Sequence, residues 1–433
     1  MAALPLLLAL ATAGAPHPAL APWDAIFPSL EALYVDLHQH PELSLQEKET
    51  AAKLASRLRA LGYEVTTGVG GHGLVGVLRN GPGPTVLLRT DLDALPVKEE
   101  TGLPFASTVT ARNTSGESVA VMHACGHDVH MAGWIGAATL LERSRARWRG
   151  TLVLVGQPAE ELGSGARAMI ADGLFTRFPR PDFAVAVHQT PMLPAGQVGV
   201  VPGYALAFVD TVEIVVHGRG GHGAAPHLTV DPVLLAARLV VALQGIVARE
   251  VDPVDPAVIT VGSIHGGTRS NIIPDEVTLQ LTVRAYKEEV QRQLLAAIGR
   301  VARGEAAVSG APREPTVTVL GTSTPSVFND PKLSQRLRAV LARNLGEAAV
   351  TGFPPIMGSE DFAEFGSAGI PSNLFWVGSA APDLFAEARR RGTYPPGNHT
   401  ASMTPDRAPA IRAAASTLTL SALELLGQPD PAR

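Results

Sequence analysis

In Met122-His123-Ala124-Cys125-Gly126-His127-Asp128 the only cysteine of the chain stands two residues from a histidine. Residues two apart in an extended backbone point to the same side, so Cys125 and His127 could share a metal ion. A lone histidine is most often a surface or satisfied core residue; beside the only thiol, at the entry to an expected helix, the ligand reading is favoured. Pro158-Ala159-Glu160-Glu161 follows a strongly apolar strand. Neighbours in extended chain project to opposite sides, so one carboxylate can face a metal while the other faces a different atom, such as a water. Two acids in a loop alone are usually a solvated turn; their place at the end of a buried strand, beside other candidate ligands, points to chemistry. Arg89-Thr90-Asp91-Leu92-Asp93 closes another apolar strand, where a carboxylate could ligate a metal or accept the second N–H of a ligand imidazole. His188, at the end of a strand expected over 183–187, and His399, in the loop Pro395-Pro396-Gly397-Asn398-His399, complete the set.

Such residues need a frame that gathers distant segments. Short β-type runs over 63–67, 74–78 and 86–89, a helix over 128–143 and strands over 151–155 and 183–187 predict an α/β domain with a largely parallel sheet. Ahead of them Ser44-Leu45-Gln46-Glu47 reads as a capping box opening a helix in which Leu54, Leu58 and Leu61 repeat up to Gly62. The pattern then changes to a strand over 209–216, a helix over 232–247, strands over 258–264 and 277–283, a helix over 288–303 and a strand over 316–320. That β-α-β-β-α-β order is that of a ferredoxin-like unit. It is inserted in the larger domain, which resumes with a helix over 332–345, a strand over 373–377 and a last helix over 407–426. We therefore place a leader at residues 1–22, a larger α/β domain carrying the candidate metal ligands at 23–207 and 322–433, and the inserted α+β domain at 208–321.

Composition narrows the function. The 35 basic and 40 acidic residues leave a charge of −5 with no Lys/Arg block, so no nucleic-acid partner is expected. The apolar content excludes a disordered chain, and the absence of about 20 continuous apolar residues excludes a membrane span. One cysteine can build neither an intramolecular disulfide nor a multi-cysteine zinc site. Leu4 to Leu10, broken only by Pro5 and followed by Ala13-Gly14-Ala15, reads as a signal peptide without its positive n-region. A periplasmic or secreted protein is expected; a cytoplasmic one with an Ala/Pro-rich leader is the alternative.

There is no H-E-x-x-H pair, G-x-S-x-G elbow or Walker loop. Two G-x-G-x-x-G matches, at 68–73 and 218–223, read as turns: the first leads into another strand, and the second meets Pro226 before its helix. What remains is specific as a set. Arg89-Thr90-Asp91-Leu92-Asp93-Ala94-Leu95-Pro96, Met122-His123-Ala124-Cys125-Gly126-His127-Asp128, Glu160-Glu161, Gly220-Gly221-His222-Gly223 and Met357-Gly358-Ser359-Glu360-Asp361-Phe362 come in that order. They resemble the motifs of the metal-dependent amidohydrolases that include hippurate hydrolases, N-acyl-amino-acid amidohydrolases and indoleacetyl-amino-acid hydrolases. This is a branch of the aminoacylase/carboxypeptidase superfamily of dinuclear metallopeptidases. The likeness runs from Leu37-His38-Gln39-His40-Pro41-Glu42-Leu43-Ser44 to the C-terminal helix.

The resemblance implies a zinc-peptidase-like catalytic domain in which Cys125, His127, Glu161, His188 and His399 bind two divalent metals. Glu160 would be the general base and Asp93 would brace His127. A mixed thiolate, imidazole and carboxylate set suits zinc, with manganese, cobalt or nickel compatible. The inserted domain would be a lid that also makes a homodimer. His222 would stabilise the substrate oxyanion, across the dimer, while Asn271, Arg284 and the backbone of Gly358 would hold the substrate α-carboxylate; the Arg fork meets a carboxylate with two parallel bonds. Val129 and Ala120 stand where this branch usually has glycine, which bears on substrate choice more than on metal binding. The expected reaction is hydrolysis of the amide between an acyl or aroyl group and an amino acid. A carboxypeptidase or dipeptidase of the same superfamily is the enzyme alternative, and a binding protein that has lost hydrolysis is the alternative from another class.

Overall fold

The computed structural model describes residues 17–427, so the apolar run and the A-x-A site of the expected leader lie outside the described residues. Residues Pro18–Leu20 form a 3-10 turn in which Ala19 is buried, and the helix Trp23–Gln39 follows. The chain divides into two compact units. One comprises the described residues up to Pro202, Asn329–Phe353 and the described residues from Gly369 on; the other comprises Gly203–Phe328 and Pro354–Ala368.

The first unit is built on an eight-stranded sheet in the order Glu64–Val69, Gly73–Asn80, Gly150–Gln157, Thr85–Asp91, Phe183–Pro194, Ser372–Ala380, Val198–Val200, Val350–Gly352. Its four middle strands from Gly150–Gln157 to Ser372–Ala380 run parallel, and antiparallel pairs flank them. The sheet is mixed and mostly parallel. Thr85–Asp91 is buried from Val86 on without alternation, as a strand covered on both faces must be. Helix His127–Arg143 is buried on nearly every side, and so is Arg407–Leu425. Small residues bring the two together: a Cβ on Gly133 would fall 2.5 Å from the Ala414 methyl. The glycines at 68–73 lie at the hairpin between antiparallel Glu64–Val69 and Gly73–Asn80, a turn as expected.

The expected capping box does not form. The helix is Lys48–Ala60, and its free N–H groups at Glu49 and Thr50 are taken by the Glu42 carboxylate at 3.1 and 2.7 Å. Ser44 and Glu47 bond elsewhere, because the loop they occupy is fixed by distant partners.

In the second unit four antiparallel strands lie in the order Ala257–His265, Glu276–Ala285, Phe208–His217, Thr316–Thr324. Glu276–Ala285 alternates, burying Val277, Leu279, Leu281, Val283 and Ala285 in the core shared with helices Pro232–Arg249 and Glu288–Val308. By length and composition Pro232–Arg249 could cross a membrane; its apolarity is explained on one side by Leu235, Leu239, Leu243 and Ile246, which fill this core. Pro354–Ala368, assigned from sequence to the larger domain, packs in this unit: Ile356 N–H donates to Ala205 O at 3.1 Å and Ala207 N–H to Gly358 O at 2.8 Å.

Candidate metal centre

The parallel strands of the first unit end where the candidate residues begin, the usual place for a site in an α/β sheet. Asp91 closes Thr85–Asp91, and Glu160 and Glu161 follow Gly150–Gln157. Cys125 and His127 are not on extended chain as their spacing suggested. Gly126 at φ 78° makes a left-handed corner, and His127 is the first residue of its helix. A Cβ on Gly126 would lie 2.6 Å from Gln189 Cγ. The Gln189 amide is itself fixed, donating to Cys125 O and Asn398 Oδ1 at 2.7 Å and accepting from Ser379 Oγ at 2.6 Å. Gly126→Ala is therefore expected to cost about 2–4 kcal/mol, from a left-handed alanine and an overpacked neighbour, seen as a lower urea midpoint at unchanged slope.

His127 Nδ1 donates to the Asp93 carbonyl at 2.8 Å. Its Nε2 stands 3.8 Å from Asp91 Oδ2, Glu160 Oε2 and Glu161 Oε1, and it carries the lone pair once the ring is neutral, as a metal ligand must be. His188 lies within Phe183–Pro194, not at its end as expected, because the strand continues to Pro194. The ring is oriented the same way: Nδ1 donates to Gln189 O at 2.8 Å, and Nε2 faces Cys125 Sγ at 3.5 Å. Glu160 and Glu161 also stand on a turn, not on extended chain, since Ala159 has φ 49°. Glu161 N–H donates to Asp93 Oδ2 at 3.0 Å. His399, at φ 67°, is held by its N–H on Ala124 O at 2.8 Å, and its Nε2 is 3.4 Å from Glu161 Oε1.

Donor atoms of Cys125, His127 and His188 lie within 4.8 Å of one another, as do those of Cys125, Glu161 and His399, and those of His127, Glu160 and Glu161. The structure thus brings together all five proposed ligands and Glu160, with Asp93 behind His127. The centre is a cluster of acceptors. Burial, then Glu161, Glu160 and Asp91, push the Cys125 thiol well up, so a thiolate here needs a cation. Burial works against a charged His127, but Asp91, Asp93 and Glu161 outweigh it and hold the imidazole at about 10. His188 is pushed well down by burial and by His130. The Glu161 carboxylate lifts His399. His127 Nε2 and Glu161 Oε1 are buried without a hydrogen bond. Orphaned polar atoms beside a thiol, two further imidazoles and carboxylates suit divalent cations, which displace the His127 proton and satisfy them all at once.

Several neighbours were missed in the sequence. His130 shares a helix face with His127, the i, i+3 spacing being its only local signal. Its Nδ1 donates to Asp91 Oδ1 at 2.8 Å and its Nε2 accepts Gln189 N–H at 2.7 Å, so both ring nitrogens are engaged. Buried Arg89 donates to Asp91 Oδ2 at 2.8 Å and to Gln157 Oε1 at 2.9 Å. Burial would raise Asp91, but His127, His130 and Arg89 hold it well below the usual range. On the other side of the helix entry, His38 bonds Asp128 at 2.7 Å and Glu99 at 3.0 Å; against the cost of burial these carboxylates keep it at about 10. Glu47, also buried, is pushed up to about 7 by burial and by Asp93.

The other expected residues belong to the second unit. His222 lies in the two-residue strand Gly221–His222, paired with Ile272–Ile273, and is exposed. Its Nδ1 accepts Ala224 N–H at 3.0 Å, so Nε2 carries the proton and can donate. Asn271, exposed, accepts Gly223 N–H through its carbonyl at 2.8 Å. Arg284 is half-buried and donates to Met357 O at 2.5 Å, beside Gly358.

The chain matches the family model of peptidase family M20/M25/M40 over residues 87–388. It is 37% identical over 347 residues to thermostable carboxypeptidase 1 of Saccharolobus solfataricus, covering 79% of this chain and 84% of that one. To N-acetylcysteine deacetylase of Bacillus subtilis it is 36% identical over 350 residues, 79% and 86% of the two chains. The crystal structure of the YXEP protein of Bacillus subtilis, described as a dinuclear metal binding peptidase from the M20 family, matches with a TM-score of 0.75 at 30% identity, covering 93% of this chain and all of that one.

Proposed function

The chain belongs to peptidase family M20/M25/M40 and is a metal-dependent amidohydrolase or peptidase, and from that premise we propose that it cleaves the amide of N-acyl or N-aroyl amino acids. The observation that carries this is the division of labour between two adjacent carboxylates. Glu161 is anchored by its N–H on Asp93 and its carboxylate lies beside both His399 and His127 Nε2, while the Glu160 carboxylate stands 3.8 Å from His127 Nε2. We take Cys125, His127, Glu161, His188 and His399 as the residues that hold the cations. Two bound divalent ions, zinc first by the thiolate, with manganese, cobalt or nickel compatible, would polarise the scissile carbonyl and acidify a water.

Glu160 takes the proton of the attacking water and hands it to the amide nitrogen as the C–N bond breaks, giving a carboxylate and a free amine. The Asp93 carbonyl, by accepting the hydrogen bond from His127 Nδ1–H, orients the ring so that Nε2 is the nitrogen turned to the carboxylates and available to a cation once the ring is neutral. His222, a donor through Nε2, serves the carbonyl oxygen as charge grows on it. Asn271, Arg284 and the Gly358 backbone take the α-carboxylate of the amino acid, which both an N-acyl amino acid and the C-terminal half of a peptide carry.

The relative named N-acetylcysteine deacetylase supports the acyl reading, and the one named carboxypeptidase supports a peptidase as the second. Exposed Leu234 and Val241 on helix Pro232–Arg249 support a homodimer through the second unit. Export rests on the Leu4 to Leu10 run and Ala13-Gly14-Ala15 alone. Chelation is expected to abolish hydrolysis of acetyl and benzoyl amino acids, and added zinc or manganese to restore it; an undiminished rate in metal-stripped protein would defeat the proposal. Dipeptides run beside the acyl panel separate the two substrate readings, and tight binding without product in metal-loaded protein would favour a binding protein.

A further inference from the structure

Glu47 is a carboxylate buried beside the centre that, like Asp93, belongs to none of the ligand groups. Glu47, 0% exposed, turns Oε1 to two backbone N–H groups from different loops, Leu45 at 2.9 Å and Ala159 at 2.8 Å. Both residues have positive φ, 69° and 49°, and with His399 they are the non-glycine residues of that kind among the described residues. Leucine and alanine are strained in this conformation, which persists only where something holds it.

Each turn delivers part of the centre. Ser44, just ahead of Leu45, donates to Asp93 Oδ2 at 2.6 Å, the oxygen that also takes Glu161 N–H. Ala159 immediately precedes Glu160 and Glu161, and its own carbonyl closes the turn by accepting Gly165 N–H at 3.2 Å. We propose that Glu47 is a positioning residue for the hydrolysis: it clamps two left-handed turns and so fixes where the Glu160 and Glu161 carboxylates stand. This rests on the roles given to those two residues above. Oε2 of Glu47 has no hydrogen-bond partner, so the clamp uses one acceptor oxygen, which an amide also offers.

The test compares Glu47→Gln, Glu47→Met and Glu47→Met with Ala159→Gly, measuring kcat, KM and zinc affinity against a chromogenic chelator, with Glu160→Gln as reference. Glu47→Gln is expected to keep kcat and zinc affinity within about threefold, because an acceptor remains. Glu47→Met is expected to lose between about 10- and 100-fold in both, with KM nearly unchanged. Glycine at 159 adopts positive φ freely, so in the Met background it should recover about tenfold of the lost kcat. A Glu47→Met protein that melts earlier but keeps kcat and zinc affinity, or one that Ala159→Gly does not rescue, would overturn the clamp. Should Glu47→Met fail to fold, Glu47→Gln decides, and a loss in both kcat and zinc affinity of about 10-fold or more would overturn it. Full activity in Glu160→Gln would instead defeat the reading of the centre, while zinc affinity in the Glu47 variants would still report on the clamp.

Discussion

Replacing Glu160 with glutamine is expected to lower kcat by between about 10²- and 10⁴-fold, with metal content and KM nearly unchanged. Glutamine keeps the length and the carbonyl oxygen of the side chain, so the turn begun at Ala159 and the approach to His127 Nε2 need not change. What is removed is the capacity to take a proton from water and return it to the leaving nitrogen. The loss corresponds to about 3–5 kcal/mol of transition-state stabilisation. Because Glu161 has its N–H on Asp93 and its carboxylate beside His399, the same substitution at position 161 should also lower the metal content. Single-turnover rates and metal analysis on the two variants check this, and normal turnover in Glu160→Gln would remove Glu160 from the reaction.

What could be read in the sequence divides by the range of the contacts involved. Cys125 and His127 sit in a short motif at a helix entry and Glu160 and Glu161 just past a buried strand, so residue type and place sufficed to single them out. The parallel sheet was legible because its buried strands carry unbroken apolar runs such as Val86-Leu87-Leu88, and Glu276–Ala285 was legible as a strand because its apolar residues alternate strictly. Gly126 escaped because a left-handed corner leaves no mark beyond a glycine; it is this corner, and not extended chain, that sets the Cys125 and His127 donor atoms near one another. Ser44 and Glu47 carry the pattern of a capping box, but their strongest partners, Asp93 and the Ala159 N–H, are remote in sequence, and those contacts displaced the local ones. Arg89, His130 and Gln189 were passed over for the same reason: their partners Gln157, Asp91 and Cys125 are remote in sequence.

Cys125→Ser should leave the fold largely intact yet strip the centre of its metal. The substitution removes little volume from a buried position, so a stability change within about 1–2 kcal/mol is expected in the metal-free protein. The chemistry changes far more. A buried thiol hemmed in by Glu161, Glu160 and Asp91 resists ionisation until a cation compensates it, and once ionised it is a soft, strong donor 3.5 Å from His188 Nε2. A serine hydroxyl in the same surroundings stays protonated and is a weak ligand. Loss of a partner that merely orients a ligand costs about 10- to 100-fold in metal affinity or activity, so loss of the ligand itself should exceed about 100-fold in affinity, with activity recovered only at high added metal. Equilibrium dialysis against zinc, beside urea denaturation of the metal-free forms, separates the two effects. Wild-type zinc affinity in Cys125→Ser would reduce Cys125 to a small buried residue and leave His127, His188, His399 and the carboxylates as the whole ligand set.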